Sequence, residues 1–70
     1  MIGHPKYKRD DVVSFKFRNE IKTGTICIVD SYGTFEQNEE PSYDIINEEE
    51  NMLYKHVRES GVIGYAGSQN

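Results

Sequence analysis

The chain has no tryptophan, one cysteine and two prolines in 70 residues, and leucine and alanine occur once each, as Leu53 and Ala66. Each scarcity excludes something. A single thiol, Cys27, forms no internal disulfide, and with only His4 and His56 beside it there is no ligand spacing for zinc. Without leucine and alanine recurring every three or four residues, a helical bundle has no apolar stripe to bury. No uninterrupted apolar run approaches the roughly 20 residues that a membrane-spanning helix needs. Met1–Asp11 is polar and lacks the apolar stretch of a signal peptide, so a cytoplasmic location is expected. Seventy residues make one small domain, which buries only about 60% of its unfolded surface and leaves little room for an enclosed catalytic cleft.

What the chain does have is β-formers. Valine and isoleucine together number twelve, and phenylalanine and tyrosine eight. Side chains branched at Cβ are stiff against a helical turn but pack well on a pleated surface. The expected fold is therefore all-β. Charge is unevenly spread: residues 1–28 hold six lysines and arginines against three acids, and residues 29–70 hold two against nine, which together give the net −4. Residues 36–50 contain seven carboxylates and no base.

Alternation locates the strands. In 11–17 (DVVSFKF), Val13, Phe15 and Phe17 share one face, with Ser14, Lys16 and Arg18 on the other. Residues 22–30 (KTGTICIVD) place Ile26 and Ile28 on one face of a second strand, and Gly24 marks a bulge or a close backbone approach. Residues 31–41 are irregular, with Gly33 and Pro41 as breakers. A short strand at 34–36 is one alternative there and a structureless connection the other. A third strand at 42–47 turns Tyr43 and Ile45 inward. Glu48–Glu50 form a solvated turn, because three adjacent carboxylates cannot be buried unpaired. In the fourth strand, 51–57, either parity fits the apolar residues. We take Leu53 and Val57 inward, because they share parity and lead into the closing turn. Residues 58–63 read as one tight 3-10 turn and a short last strand anchored by Val62. Residues 1–5 are expected to be a flexible arm and 64–70 a disordered tail. The predicted core is Val13, Phe15, Ile26, Ile28, Ile45, Leu53 and Val57.

Five short strands within about 60 residues, carried by DVVSFKF, KTGTICIVD, PSYDI and LYKHVRESGVI, resemble the small five-stranded SH3-like barrels, including Tudor- and KOW-type modules. More closely, over residues 6–63, the chain resembles short uncharacterised proteins of Gram-positive bacteria and their prophages. The resemblance implies a closed barrel that acts as a binding module, and fold does not set function. Proline-rich peptide binding is disfavoured, because the class relies on a tryptophan-containing aromatic groove and an acidic first long loop. Here tryptophan is absent and the first loop is short. A methyl-lysine cage would need converging aromatics, and Phe35 and Tyr43 are more simply core or rim residues. KOW-like nucleic-acid binding would use Lys6, Lys8, Arg9, Lys16, Arg18 and Lys22, with His4 beside them and Tyr7 and Phe17 for stacking. The net acidity opposes it.

No catalytic residue, metal site or cofactor is expected. Cys27 is a mid-strand packing residue, and His56 near Ser60 forms no triad. The expected role is a small non-catalytic interaction module. It binds another protein of basic surface through Tyr32, Phe35 and Tyr54 set among Glu36 and Glu39. A homo-oligomer through unpaired strand edges is a separate alternative, with monomer or weak homodimer as the expected state.

Overall fold

A computed structural model describes residues 5–30 and 40–66. The chain forms strands β1 (Val12–Phe17), β2 (Glu20–Asp30), β3 (Ser42–Asn47) and β4 (Met52–Arg58), then a 3-10 turn η1 (Glu59–Gly61), then β5 (Val62–Tyr65). All pairings are antiparallel, in the order β4-β3-β2-β1-β5. The all-β class and the 3-10 turn before the last strand are as expected. The expected closure is not shown: the sheet is open, with β4 and β5 at its ends. Chain leaving β4 passes through η1, and β5 then pairs with β1. β5 also runs to Tyr65, into the segment expected to be tail, because Tyr65 stands opposite Val13 and the Ala66 N–H donates to the Val12 carbonyl at 3.0 Å. The possible strand at 34–36 lies outside the described residues.

One face of the sheet carries the core: Val13, Phe15, Ile26, Tyr43, Ile45, Tyr54 and Val62, with Tyr7, Phe17, Val29 and Val57 packed against it. Ile26 stands opposite Ile45 and Ile45 opposite Tyr54, so three strands contribute to one buried row. The opposite face carries a second row, Val12, Thr25, Ile46 and Leu53, in which the three apolar members are solvent-exposed.

Two predicted core residues are corrected. Ile28 is 54% exposed and Leu53 is 44% exposed. Ladder irregularities are the cause. Between Ile26 and Ile28 the β2 chain advances two residues while β3 advances one, from Ile45 to Asp44, so Cys27 is an extra residue. After such a bulge the alternation flips, so Ile28 turns outward and Val29 takes the inward position. On β4, three residues from Tyr54 to Val57 span two on β3, from Ile45 to Tyr43, and His56 sits at φ 59° within the extra step. Tyr54 and Val57 can therefore both face the core although their numbers differ by three. Leu53, next to Tyr54, faces out.

Gly24 is the close approach that its position in the strand suggested. A Cβ there would lie 2.5 Å from the Ile46 carbonyl oxygen and 2.7 Å from Ile45 Cγ2, distances real Cβ atoms do not adopt. The β1–β2 hairpin turns through Arg18 and Asn19, with Arg18 at φ 58°. The β3–β4 turn closes with Asn51 at φ 56°, a conformation asparagine tolerates. Inside it, the Oδ1 of the buried Asn47 accepts the Glu50 N–H at 2.8 Å.

Urea unfolding of alanine variants separates these placements. Gly24→Ala should cost about 2–3 kcal/mol through overpacking against backbone. Gly64→Ala, with nothing within 4 Å of the added carbon, should be neutral to slightly stabilising. Ile26→Ala and Phe15→Ala should each cost about 2–5 kcal/mol, whereas Ile28→Ala should stay under about 1 kcal/mol. An Ile28→Ala cost equal to that of Ile26→Ala contradicts the bulge at Cys27.

Candidate functional site

A basic groove lies where the open sheet leaves β4 unpaired. β1 contributes Lys16 and Phe17, β4 contributes Tyr54 to Arg58, and η1 contributes Ser60 and Gly61. Its volume is about 330 Å³. Four potential cations, Lys16, Lys55, His56 and Arg58, meet there, and no carboxylate lines the wall. All four side chains are exposed. The floor is aromatic. Phe17 and Tyr54 meet edge to face with centroids 4.7 Å apart, and Phe15 packs on Tyr54 in the same way at 5.2 Å. Arg18 places its guanidinium 5.1 Å from the Phe17 centroid, a cation–π contact.

Two carboxylates outside the lining bond to residues of the groove. The Tyr54 hydroxyl donates to Glu50 Oε1 at 2.6 Å, and Lys22 Nζ donates to Glu50 Oε2 at 2.6 Å while lying 3.0 Å from Glu20 Oε1. Glu40 receives the Ser60 N–H at 2.8 Å and the Ser60 hydroxyl at 3.1 Å. The β4 bulge is fixed from its own strand neighbour, since the His56 N–H donates to Asp44 Oδ1 at 3.1 Å. That bond supports a φ that few non-glycine residues adopt and sets His56 at the groove.

A second cluster fastens the chain before β1. Tyr43 donates its hydroxyl proton to Glu59 Oε2 at 2.6 Å, and the same oxygen accepts the Lys6 N–H at 2.7 Å. The Tyr7 N–H approaches the Tyr43 hydroxyl at 3.4 Å, and the Tyr7 ring packs edgewise between Tyr43 and Tyr65. Burial, then the hydrogen bond to Glu59, holds the Tyr43 phenol well above its usual range.

The residues expected to bind protein are distributed as follows. Tyr32, Phe35, Glu36 and Glu39 lie outside the described residues. Tyr54, expected as an exposed aromatic, is corrected: the residue is 6% exposed and belongs to the core, because it stands opposite the buried Ile45. Of the basic residues named for nucleic acid, Lys16 lines the groove and Arg18 covers Phe17. Lys22 is engaged by Glu20 and Glu50. Lys6, Lys8 and Arg9 stand on the exposed segment before β1, where the Lys6 and Lys8 amides bond to Glu59 and Asp11. Lys55, His56 and Arg58 were missed as a group, because the first two sat on a strand read for its apolar parity and the third at its end. Their signal was present: Lys55 and Arg58 are the only bases in the acidic second part of the chain.

Cys27 is half-buried and donates its thiol to the Asp44 carbonyl at 3.3 Å. Among the described residues, no three histidines, cysteines or acids are placed to share a metal ion, and no helix is long and apolar enough to cross a membrane. Comparison with protein-family models, curated proteins and solved structures returns no match for this chain.

Titration of these clusters sets the pH profile. Hydrogen bonds from Lys22 and Tyr54 hold the Glu50 carboxyl below its usual value, so its contribution is present above about pH 4.3 and lost as pH falls. Tyr43, Tyr54 and Lys22 all bind their protons more tightly when folded, so theirs is present below about pH 10 and lost as pH rises. Urea midpoints should therefore be flat between about pH 5 and 9 and fall on both sides. Glu50→Gln should make the acid limb shallower, and Tyr43→Phe the alkaline limb. An alkaline limb unchanged in Tyr43→Phe contradicts the Tyr43–Glu59 bond.

Proposed function

We propose that this protein is a small, non-catalytic interaction module with the architecture of an SH3-like barrel, and that it binds another protein through the basic groove between β1, β4 and η1. The barrel reading is supported by five strands in the order β5-β1-β2-β3-β4, with a single 3-10 turn before the last. The binding reading rests on one observation: three cationic side chains of an acidic protein, Lys16, Lys55 and Arg58, gather with His56 over an aromatic floor at the unpaired edge of the sheet. Like charges brought together without a lining carboxylate repel one another, and a partner of opposite charge relieves that repulsion.

Internal contacts shift the choice of surface away from the acidic stretch. Within residues 36–50, Glu40 is held by Ser60, Asp44 by the His56 amide, and Glu50 by Lys22 and Tyr54. With three of seven carboxylates bound within the fold and Tyr54 buried, the basic groove is the stronger contact surface on the described residues. Its preferred partner is acidic rather than basic.

Affinity capture with the intact chain tests the reading. Lys55→Glu/Arg58→Glu should lose the captured proteins, whereas Lys8→Glu/Arg9→Glu, with the same change in charge on another surface, should keep them. Capture that survives the groove substitutions overturns it.

A further inference from the structure

We infer that the groove's ligand is a short extended peptide segment rich in aspartate and glutamate, a reading that rests on the groove being the contact surface. Three observations carry it.

The first is charge. Lys55 and Arg58 are exposed, and among the described residues neither side chain makes an ion pair or hydrogen bond. Lys16 joins them from β1. They are thus free to take a ligand's carboxylates, unlike Lys22, which is already paired. Guanidinium and ammonium groups held over a partly apolar floor pair more strongly than on an open surface, because less water competes.

The second is length. From Tyr54 to Arg58 the strand spans four residue rises, about 13 Å of wall. Glu50 is bonded to Tyr54, where this wall begins, and Glu40 to Ser60, just past Arg58 where it ends. A segment of about four extended residues fits between them. A nucleic-acid strand gains affinity by neutralising many successive phosphates. Here it would run onto those carboxylates after the first few.

The third is the floor. Single-stranded nucleic acid binds by stacking bases on free aromatic faces. Tyr54 is buried, and Phe17 is covered by the Arg18 guanidinium and by the edge-to-face contact with Tyr54. The floor offers apolar contact to methylene groups of a peptide and no open ring for a base. β4 is also a terminal strand of the sheet, so its outward backbone groups can hydrogen-bond an extended chain laid beside it.

The test is an amide-shift titration of the full chain with a terminally blocked four-residue peptide of alternating glutamate and serine, repeated with an eight-nucleotide oligothymidylate. Peptide shifts should concentrate at Lys16, Phe17, Lys55 to Arg58 and Gly61, with affinity falling as salt rises. Lys55→Glu/Arg58→Glu should weaken the peptide at least tenfold, Lys16→Gln several-fold, and Lys8→Glu/Arg9→Glu less than threefold. Equal weakening by both double variants overturns the inference in favour of diffuse charge attraction. Oligothymidylate binding as tightly at the same residues overturns it in favour of nucleic acid. Absence of peptide shifts while protein capture remains groove-dependent overturns the ligand class alone, and loss of both overturns the module as well.

Discussion

Ladder irregularities on β2, β4 and β5 hold this small sheet in register with its core, and most other features depend on them. Strand side chains alternate strictly, so an uninterrupted sheet would need apolar residues at every second position of every strand. This chain does not supply them. One extra residue in each of the three strands resets the alternation, at Cys27, at Lys55–His56 and at Ile63. Val29, Val57 and Tyr65 are thereby returned to the side that Ile26, Tyr54 and Val62 occupy. Bulges also add twist, which wraps the sheet around its core.

The same device builds the groove. By resetting parity within β4, the bulge lets Tyr54 and Val57 both serve the core while Lys55, His56 and Arg58 stand exposed around them. η1 then carries the chain to β1 instead of closing β4 against β5, and the gap it leaves is the groove. Its carboxylate neighbours are held in defined bonds, Glu50 by Lys22 and Tyr54, Glu40 by Ser60, and Glu59 by Tyr43 and the Lys6 amide. Charge on this molecule is thus sorted by tertiary contact. Among the described residues, Lys22 of the basic first part crosses to Glu50 of the acidic second part, and Lys55 and Arg58 of the second join Lys16 of the first.

Where a strand runs without interruption, its pattern is readable along the chain. β1 alternates through Val13 and Phe15, and both are fully buried. The first half of β2 and all of β3 behave the same way through Ile26, Tyr43 and Ile45, and Gly24 announces a close approach because glycine is otherwise disfavoured in a strand. Legibility fails at the bulges. Ile28 and Leu53 are placed wrongly by alternation because nothing in the residues Cys27, Lys55 and His56 marks an insertion; a bulge is defined by the count on the partner strand, which is not local information. Tyr54 fails for the same reason. As an aromatic among charged neighbours it reads as exposed, and only its pairing with Ile45 buries it.

Composition and alternation alone therefore determined an all-β chain of five short strands, a 3-10 turn before the last, and most of the aliphatic core, because burying apolar surface on a pleated sheet is a property of local pattern. Tertiary structure alone decided which face Ile28, Leu53 and Tyr54 take, that the sheet stays open, and which charges meet. Those outcomes depend on residues from different strands being counted against one another, and on Coulomb pairs whose members lie 28 positions apart, as Lys22 and Glu50 do.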